Sequence, residues 1–136
     1  MTGFMLDLQD AAHTERMENV ASFIGEDASG SFGIQAWHER FMTSLVFGLA
    51  RYRIADRPWQ YVAVPGALVY FTDNVLTLST RRYLRDENFA QITALLDAQL
   101  VKEEEDLRGM KLSLQRMEEE MIKQLWQMSR GRTGAV

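Results

Sequence analysis

The chain has no cysteine, which excludes disulfides, thiolate metal sites and thiol nucleophiles. A sequence without cysteine also fits a reducing compartment. Histidine is almost as scarce. His13 and His38 are the only two, and no His-x-x-x-His or comparable spacing is there to build a zinc site. No Gly-rich loop followed by Lys-Ser or Lys-Thr is present to cradle a phosphate, and nothing has the form of a nucleophile elbow. An excess of positive charge is missing too: the net charge is −4, against the basic face that a general nucleic-acid binder needs. No apolar run approaches the roughly 20 residues of a membrane span, so direct membrane insertion is not expected. Residues 1–10 have neither a basic start nor an apolar core, which reads as no signal peptide. A soluble, cytoplasmic protein with no cofactor, no metal and no catalytic residues is the resulting expectation.

What is present is one domain, or one small domain with an appendage, in 136 residues. A chain of that size buries roughly two thirds of its unfolded surface and needs no covalent staples. The basic residues change texture along it. Residues 1–86 hold eight arginines and no lysine, and the remaining 50 hold all three lysines with four arginines. The hydrophobic period changes at the same place, so the expected division is 1–85 and 86–136.

The first part reads as short strands. Met5–Gln9 and Asn19–Ile24 alternate partially, Leu45–Ile54 forms a longer run, and Trp59–Val64 alternates cleanly with Trp59, Tyr61 and Ala63 on one face. Pro65-Gly66 is a turn signal. Ala67–Thr72 and Val75–Thr80 flank Asp73-Asn74, the strongest hairpin signal in the chain. Around Gly30-Ser31-Phe32-Gly33-Ile34-Gln35-Ala36-Trp37-His38 the expected element is a short strand between two exposed loops, a platform that presents Trp37 and His38. Strands at this spacing make an antiparallel β-sandwich or barrel.

From Asp86 the apolar residues step by three or four, with one gap of seven at the acidic run: Phe89, Ile92, Leu96 and Leu100, then Leu107, Met110, Leu114, Met117, Met121, Leu125 and Met128. That is one stripe along an amphipathic helical hairpin or one extended helix. Asp86 is the expected N-cap and Arg130-Gly131 the expected stop, with Arg132–Val136 frayed. Lys102–Asp106 and Gly109 are where a hairpin would bend. Arg81, Arg82 and Arg85 cluster at the strand-to-helix junction, either facing acidic loops of a partner or simply solvated.

Four motifs in order carry a family resemblance. Gly30-Ser31-Phe32-Gly33-Ile34 is similar to the Gly-x-Phe-Gly-Val/Ile/Leu of the epsilon subunit of F-type ATP synthases, and His38 falls where that family has Gly-His. Val64-Pro65-Gly66-Ala67-Leu68-Val69 is similar to its Val-x-Gly-Gly-x-Leu turn, and Asn74-Val75-Leu76-Thr77-Leu78 to its Asn-x-Val-Thr-Val-Leu strand. There are departures. Trp37 replaces the family's Gly and Ala36 its usual Pro, and the tail lacks the Ile-Asp-x-x-Arg-Ala nucleotide signature of some bacterial members. These resemble the divergent second rotary ATPase, the N-ATPase type.

The resemblance implies a rotor part and not a catalyst, peripheral on the cytoplasmic face of the inner (plasma) membrane. The sandwich would dock on the gamma subunit and on the polar loops of the c-ring. Ser31, Gln35, Trp37, His38, Arg81 and Arg82 would be interface. The helical tail would lie against the sandwich or reach the alpha/beta head. The alternative is a free-standing β-sandwich adaptor with a coiled-coil tail.

Overall fold

One long strand organises the sheet. The computed structural model describes the backbone of residues 3–134 and the side chains of residues 3–130. It divides into two compact units, Met1–Val101 and Lys102–Val136. In the first, β1 (Phe4–Gln9) is followed by β2 (Thr14–Asp27), which belongs to both layers of the sandwich. The first half of β2 pairs antiparallel with β1, with Gln9 opposite Thr14 and Leu6 opposite Met17. Its second half pairs with β3 (Gly30–Ile34) on one side and β5 (Gly48–Ile54) on the other. Between the halves the strand turns a corner at Asn19, whose φ is +57°, and the register shifts on both sides. Gly3 is required there: a Cβ on it would sit 2.6 Å from Asn19 Oδ1 and 2.8 Å from Asn19 backbone.

The remaining strands complete the layers. In the first, β4 (Phe41–Leu45), β7 (Ala67–Thr72) and β8 (Val75–Thr80) run out to β1, and β1 meets β8 in a parallel pair. In the second, β5 is joined by β6 (Gln60–Val64) and the short β9 (Leu84–Asp86). The hairpin at Asp73-Asn74 forms as its sequence predicts, with φ of +52° and +62° at the two turn residues, the pattern of a type I′ turn. Alternation places Phe4, Leu6, Leu8, Phe23, Tyr52, Phe71, Leu76 and Leu78 in the interlayer core, each at most 2% exposed. Burying side chains of this size contributes on the order of 1.5–3 kcal/mol each.

Three local expectations are corrected. Leu45–Ile54 is not one strand: it breaks at Val46-Phe47, where Gly48 takes φ +153°. Asp86 is not the helix N-cap, because it ends β9 opposite Tyr61. Asn88 caps instead, its side chain accepting from the Gln91 N–H at 3.1 Å. The helix also does not stop at Arg130-Gly131 but continues to Gly134. Of the residues expected to fray, Arg132–Gly134 are helical and the last two lie outside the described residues.

Helix α1 (Phe89–Leu95) and a π-helical stretch (Leu96–Val101) cover part of the outer face of the second layer. Ile92 and Leu100, both fully buried, pack with Leu96 on Ala63, Leu49, Tyr61 and Leu84. The clean face of Tyr61 and Ala63 thus lies under the helix, while Val62 points into the sandwich core. The second unit is α2 (Lys102–Gly134), one uninterrupted helix. Lys102–Asp106 and Gly109 lie inside it, so of the two expected tails the extended helix forms and the hairpin does not. Its seam residues Leu107, Met110, Leu114, Met117, Met121, Leu125 and Met128 are exposed, as are Leu112, Ile122 and Trp126 beside them.

Candidate docking surfaces

Strand β3 ends by burying Ile34, and the chain then reverses through Gln35-Ala36-Trp37-His38. The His38 N–H donates to the Gln35 carbonyl at 3.2 Å, and within the turn only Trp37 has positive φ, +62°. That is the arrangement of a type II turn, whose third position normally takes Gly. A residue with a Cβ in this left-handed region costs roughly 1–2 kcal/mol. Trp37 occupies it because the turn is held from outside. Its N–H donates to Asn74 Oδ1 at 2.7 Å, and Asn74 Nδ2 donates to the Gly3 carbonyl at 3.0 Å. The indole is left 69% exposed, beside a cleft of about 600 Å³ floored by Phe4, Met5 and Val75 and rimmed by Glu18 and Asp73. His38 is exposed but fixed. Its ring stands edge-on to Phe41 and Phe71, with centroids 5.7 and 5.9 Å away, and Nδ1 donates to the Glu39 carbonyl at 2.8 Å.

The residues singled out in the sequence do not form one cluster. Gln35, Trp37 and His38 share the end of the sandwich that carries the β7–β8 turn. Ser31 sits at the other end of β3, roughly 13 Å from Gln35 at the usual rise per strand residue. There it lines a smaller cleft of about 280 Å³ with Ile24, Leu49, Tyr61 and Phe89. Arg81 and Arg82 follow β8 at that second end, where Leu45 pairs with both Asp27 and Ala67. Arg82 Nη2 donates to Gln99 Oε1 at 2.8 Å. Arg85 donates to Glu15 Oε2 at 2.9 Å and to the Tyr52 hydroxyl at 3.4 Å. Glu15 also accepts from the Tyr83 hydroxyl at 2.5 Å, and burial together with this bond pushes the Tyr83 phenol well above its usual range.

Exposed side chains that the sequence pattern hides complete the surface. Val46 and Phe47 project from the β4–β5 connection beside the β2–β3 hairpin, where the Val46 N–H donates to the Glu26 carbonyl. Asp27 pins that hairpin, accepting from the Ser29 N–H and hydroxyl and from the Thr43 hydroxyl. Those bonds, the Ser29 hydroxyl first, hold its carboxyl below the usual range. On the outer face of the first layer, Met42, Leu68 and Tyr70 flank a shallow hollow. The adjacent apolar pair Phe41-Met42 gives no local sign of which of the two faces outward. On the outer face of the second layer, Arg51 and Arg53 lie over the Trp59 ring. Among the described residues no group of three or more His, Cys, Asp or Glu could hold a metal ion, and no helix is long and apolar enough to cross a membrane.

The chain is thus a two-layer β-sandwich with a C-terminal helix, and its prominent side chains turn outward at turns and sheet faces. Residues 4–86 match the model of the ATP synthase delta/epsilon chain β-sandwich domain, and the chain belongs to that family. A relative named ATP synthase epsilon chain 2, from Cereibacter sphaeroides, is 32% identical over 83 residues, 60% of this chain and 57% of the relative. The chain thus matches little more than half of that relative's length. Two solved structures share the fold. One, from the central stalk and c-ring of the Tetrahymena thermophila mitochondrial ATP synthase, aligns with a TM-score of 0.52 at 13% identity, over 59% of this chain and 64% of that one. The other, from the Euglena gracilis mitochondrial ATP synthase, aligns at 0.59 and 16% identity, over 72% and 64%.

Proposed function

We propose that this chain is the epsilon subunit of the central stalk of an F-type ion-translocating ATP synthase or ATPase, of the divergent second type. In this reading the sandwich docks on the gamma subunit and on the polar loops of the c-ring. It works peripherally, at the cytoplasmic face of the membrane, and helps carry rotation between ion flow and nucleotide chemistry performed elsewhere. The observation that carries the reading is the family match over 4–86 on a sandwich that exposes Trp37 at one end and Val46 and Phe47 at the other. Aromatic side chains exposed in this way are the usual anchors of protein interfaces.

The chain has no active site of its own in this reading. The segment Arg85-Asp86-Glu87-Asn88-Phe89-Ala90-Gln91 lacks the Ile-Asp-x-x-Arg-Ala signature, so the pure protein is expected neither to hydrolyse ATP nor to bind it saturably in calorimetry. A second reading, a free-standing adaptor, is favoured by the α2 seam at 107, 110, 114, 117 and 121, which has the a/d spacing of a coiled coil. Affinity capture of the tagged chain from its own cells separates the two. Gamma and c-ring in the eluate support the rotor; a discrete homo-oligomer with neither supports the adaptor.

A further inference from the structure

We propose that Arg51 and Arg53 form a carboxylate-docking shelf that receives an acidic segment of a partner protein within the rotor; the proposal rests on the rotor reading above. Tyr52, between them, is fully buried, so alternation along β5 sends both arginines to the outer face of the second layer. Cross-strand register puts Arg51 between Ile24 and Tyr61 and Arg53 beside Ser22. The two guanidinium carbons lie 4.6 and 5.1 Å from the Trp59 ring centroid, so one indole gathers two like charges, with Arg51 exposed and Arg53 half-buried.

The other well-placed arginines of the sandwich are already engaged: Arg16 with Asp7, Arg85 with Glu15, Arg82 with Gln99. Neither Arg51 nor Arg53 has a carboxylate within ion-pair distance among the described residues. Arg53 Nε is buried and has no hydrogen-bond acceptor. That donor is covered, so an incoming carboxylate would meet the exposed Arg51 guanidinium and the outer edge of Arg53, in the paired geometry a guanidinium prefers. Arg51 also lines the cleft of about 280 Å³ that it shares with Ile24, Glu26, Ser31 and Tyr61.

A carboxylate fits better than a phosphate or nucleotide. No lysine precedes Lys102, no Gly-rich amide cradle adjoins the pair, and the indole that a base would stack on is already covered by the guanidiniums.

The absence of lysine before Lys102 gives a clean test. Arg51→Lys and Arg53→Lys keep the charge and introduce the first side-chain amine of the sandwich. The rotor assembled with each variant is treated with a zero-length carbodiimide, and cross-links are mapped by mass spectrometry. The expected result is coupling from position 51 or 53 to an Asp or Glu of a partner protein. The double variant Arg51→Glu/Arg53→Glu should also bind the partner at least tenfold more weakly, with a shallower salt dependence. The shelf is overturned by an intact complex that gives no intermolecular coupling, or by coupling only to this chain's own carboxylates. Saturable binding of inorganic phosphate to the isolated chain, lost in Arg51→Gln/Arg53→Gln, also overturns it. If the unmodified chain captures no rotor protein at all, the rotor reading falls and takes the shelf with it.

Discussion

Trp37 and Asn74, 37 positions apart in sequence, are joined by a 2.7 Å hydrogen bond from the Trp37 backbone N–H to the Asn74 side-chain oxygen. The same Asn74 reaches the Gly3 carbonyl, so one side chain ties together two turns and the start of β1. Asn74→Gly keeps the left-handed backbone and removes both bonds, which should cost roughly 1–3 kcal/mol at about 0.5–1.5 kcal/mol per bond. Asn74→Ala adds the left-handed penalty of about 1–2 kcal/mol. Urea unfolding of the isolated chain reads both values, and an Asn74→Gly midpoint equal to the parent's would show that the tie contributes nothing.

Trp37→Gly should separate stability from docking. Glycine relieves the positive-φ strain but adds unfolded-state entropy, leaving a net gain of about 0–1 kcal/mol. Losing an exposed aromatic anchor should weaken partner binding by about 2 kcal/mol, near thirtyfold. Thermal unfolding alongside surface-immobilised capture of the rotor would show both signs, and a drop in stability with unchanged binding would contradict them.

Tyr83→Phe removes the phenol that donates to Glu15 and should cost about 1–3 kcal/mol, as for hydrogen bonds to charged acceptors. The folded-state pKa of Tyr83 is raised, so its contribution is full below the ordinary phenol value near ~10 and is lost as pH climbs beyond it. The parent protein should therefore lose stability above pH ~10 more steeply than the variant. Chemical denaturation on either side of that pH compares the two slopes.

At the acid end, Asp27 has the opposite sign. Its folded-state pKa is lowered by the Ser29 and Thr43 bonds, so its contribution is present above the ordinary carboxyl value near ~3.9 and fades as pH falls below it. Asp27→Asn should flatten the acid limb of the stability profile below pH ~4. Equal slopes for parent and variant would remove Asp27 from the account.

Leu114→Lys and Met121→Lys substitute side chains that are 64% and 61% exposed. Surface changes of this kind should leave thermal stability within about 0.5 kcal/mol. Sedimentation of the same variants should show less self-association or less capture by the alpha/beta head. A large fall in melting temperature would mean that the seam is core.

Much of the fold was legible because period-2 patterning is strong where one face is buried, as at Ala67–Thr72 and Val75–Thr80. The dual role of β2 was not, because a bend at Asn19 leaves no mark in hydropathy. Val46-Phe47 read as strand because apolar residues dominate there, although Gly48 marks the break. For the candidate surfaces, Trp37 was conspicuous as a bulky residue where the resembling family keeps glycine. Its support by Asn74 is a long-range bond that no local pattern announces. Arg51 and Arg53 looked like ordinary alternation with Tyr52, and only the fold brings Trp59 beneath both.

The corner in β2 has a mechanical meaning. Where each strand keeps to one layer, the layers are joined by side-chain packing and by the connections that cross between them. Here the covalent backbone of β2 crosses from layer to layer, and its ladders with β1, β3 and β5 grip each half along its length. Displacing one layer along the other would have to bend β2 at Asn19 or break part of those ladders. The corner thus gives the two layers one hydrogen-bonded strand in common, in addition to the packing of their side chains.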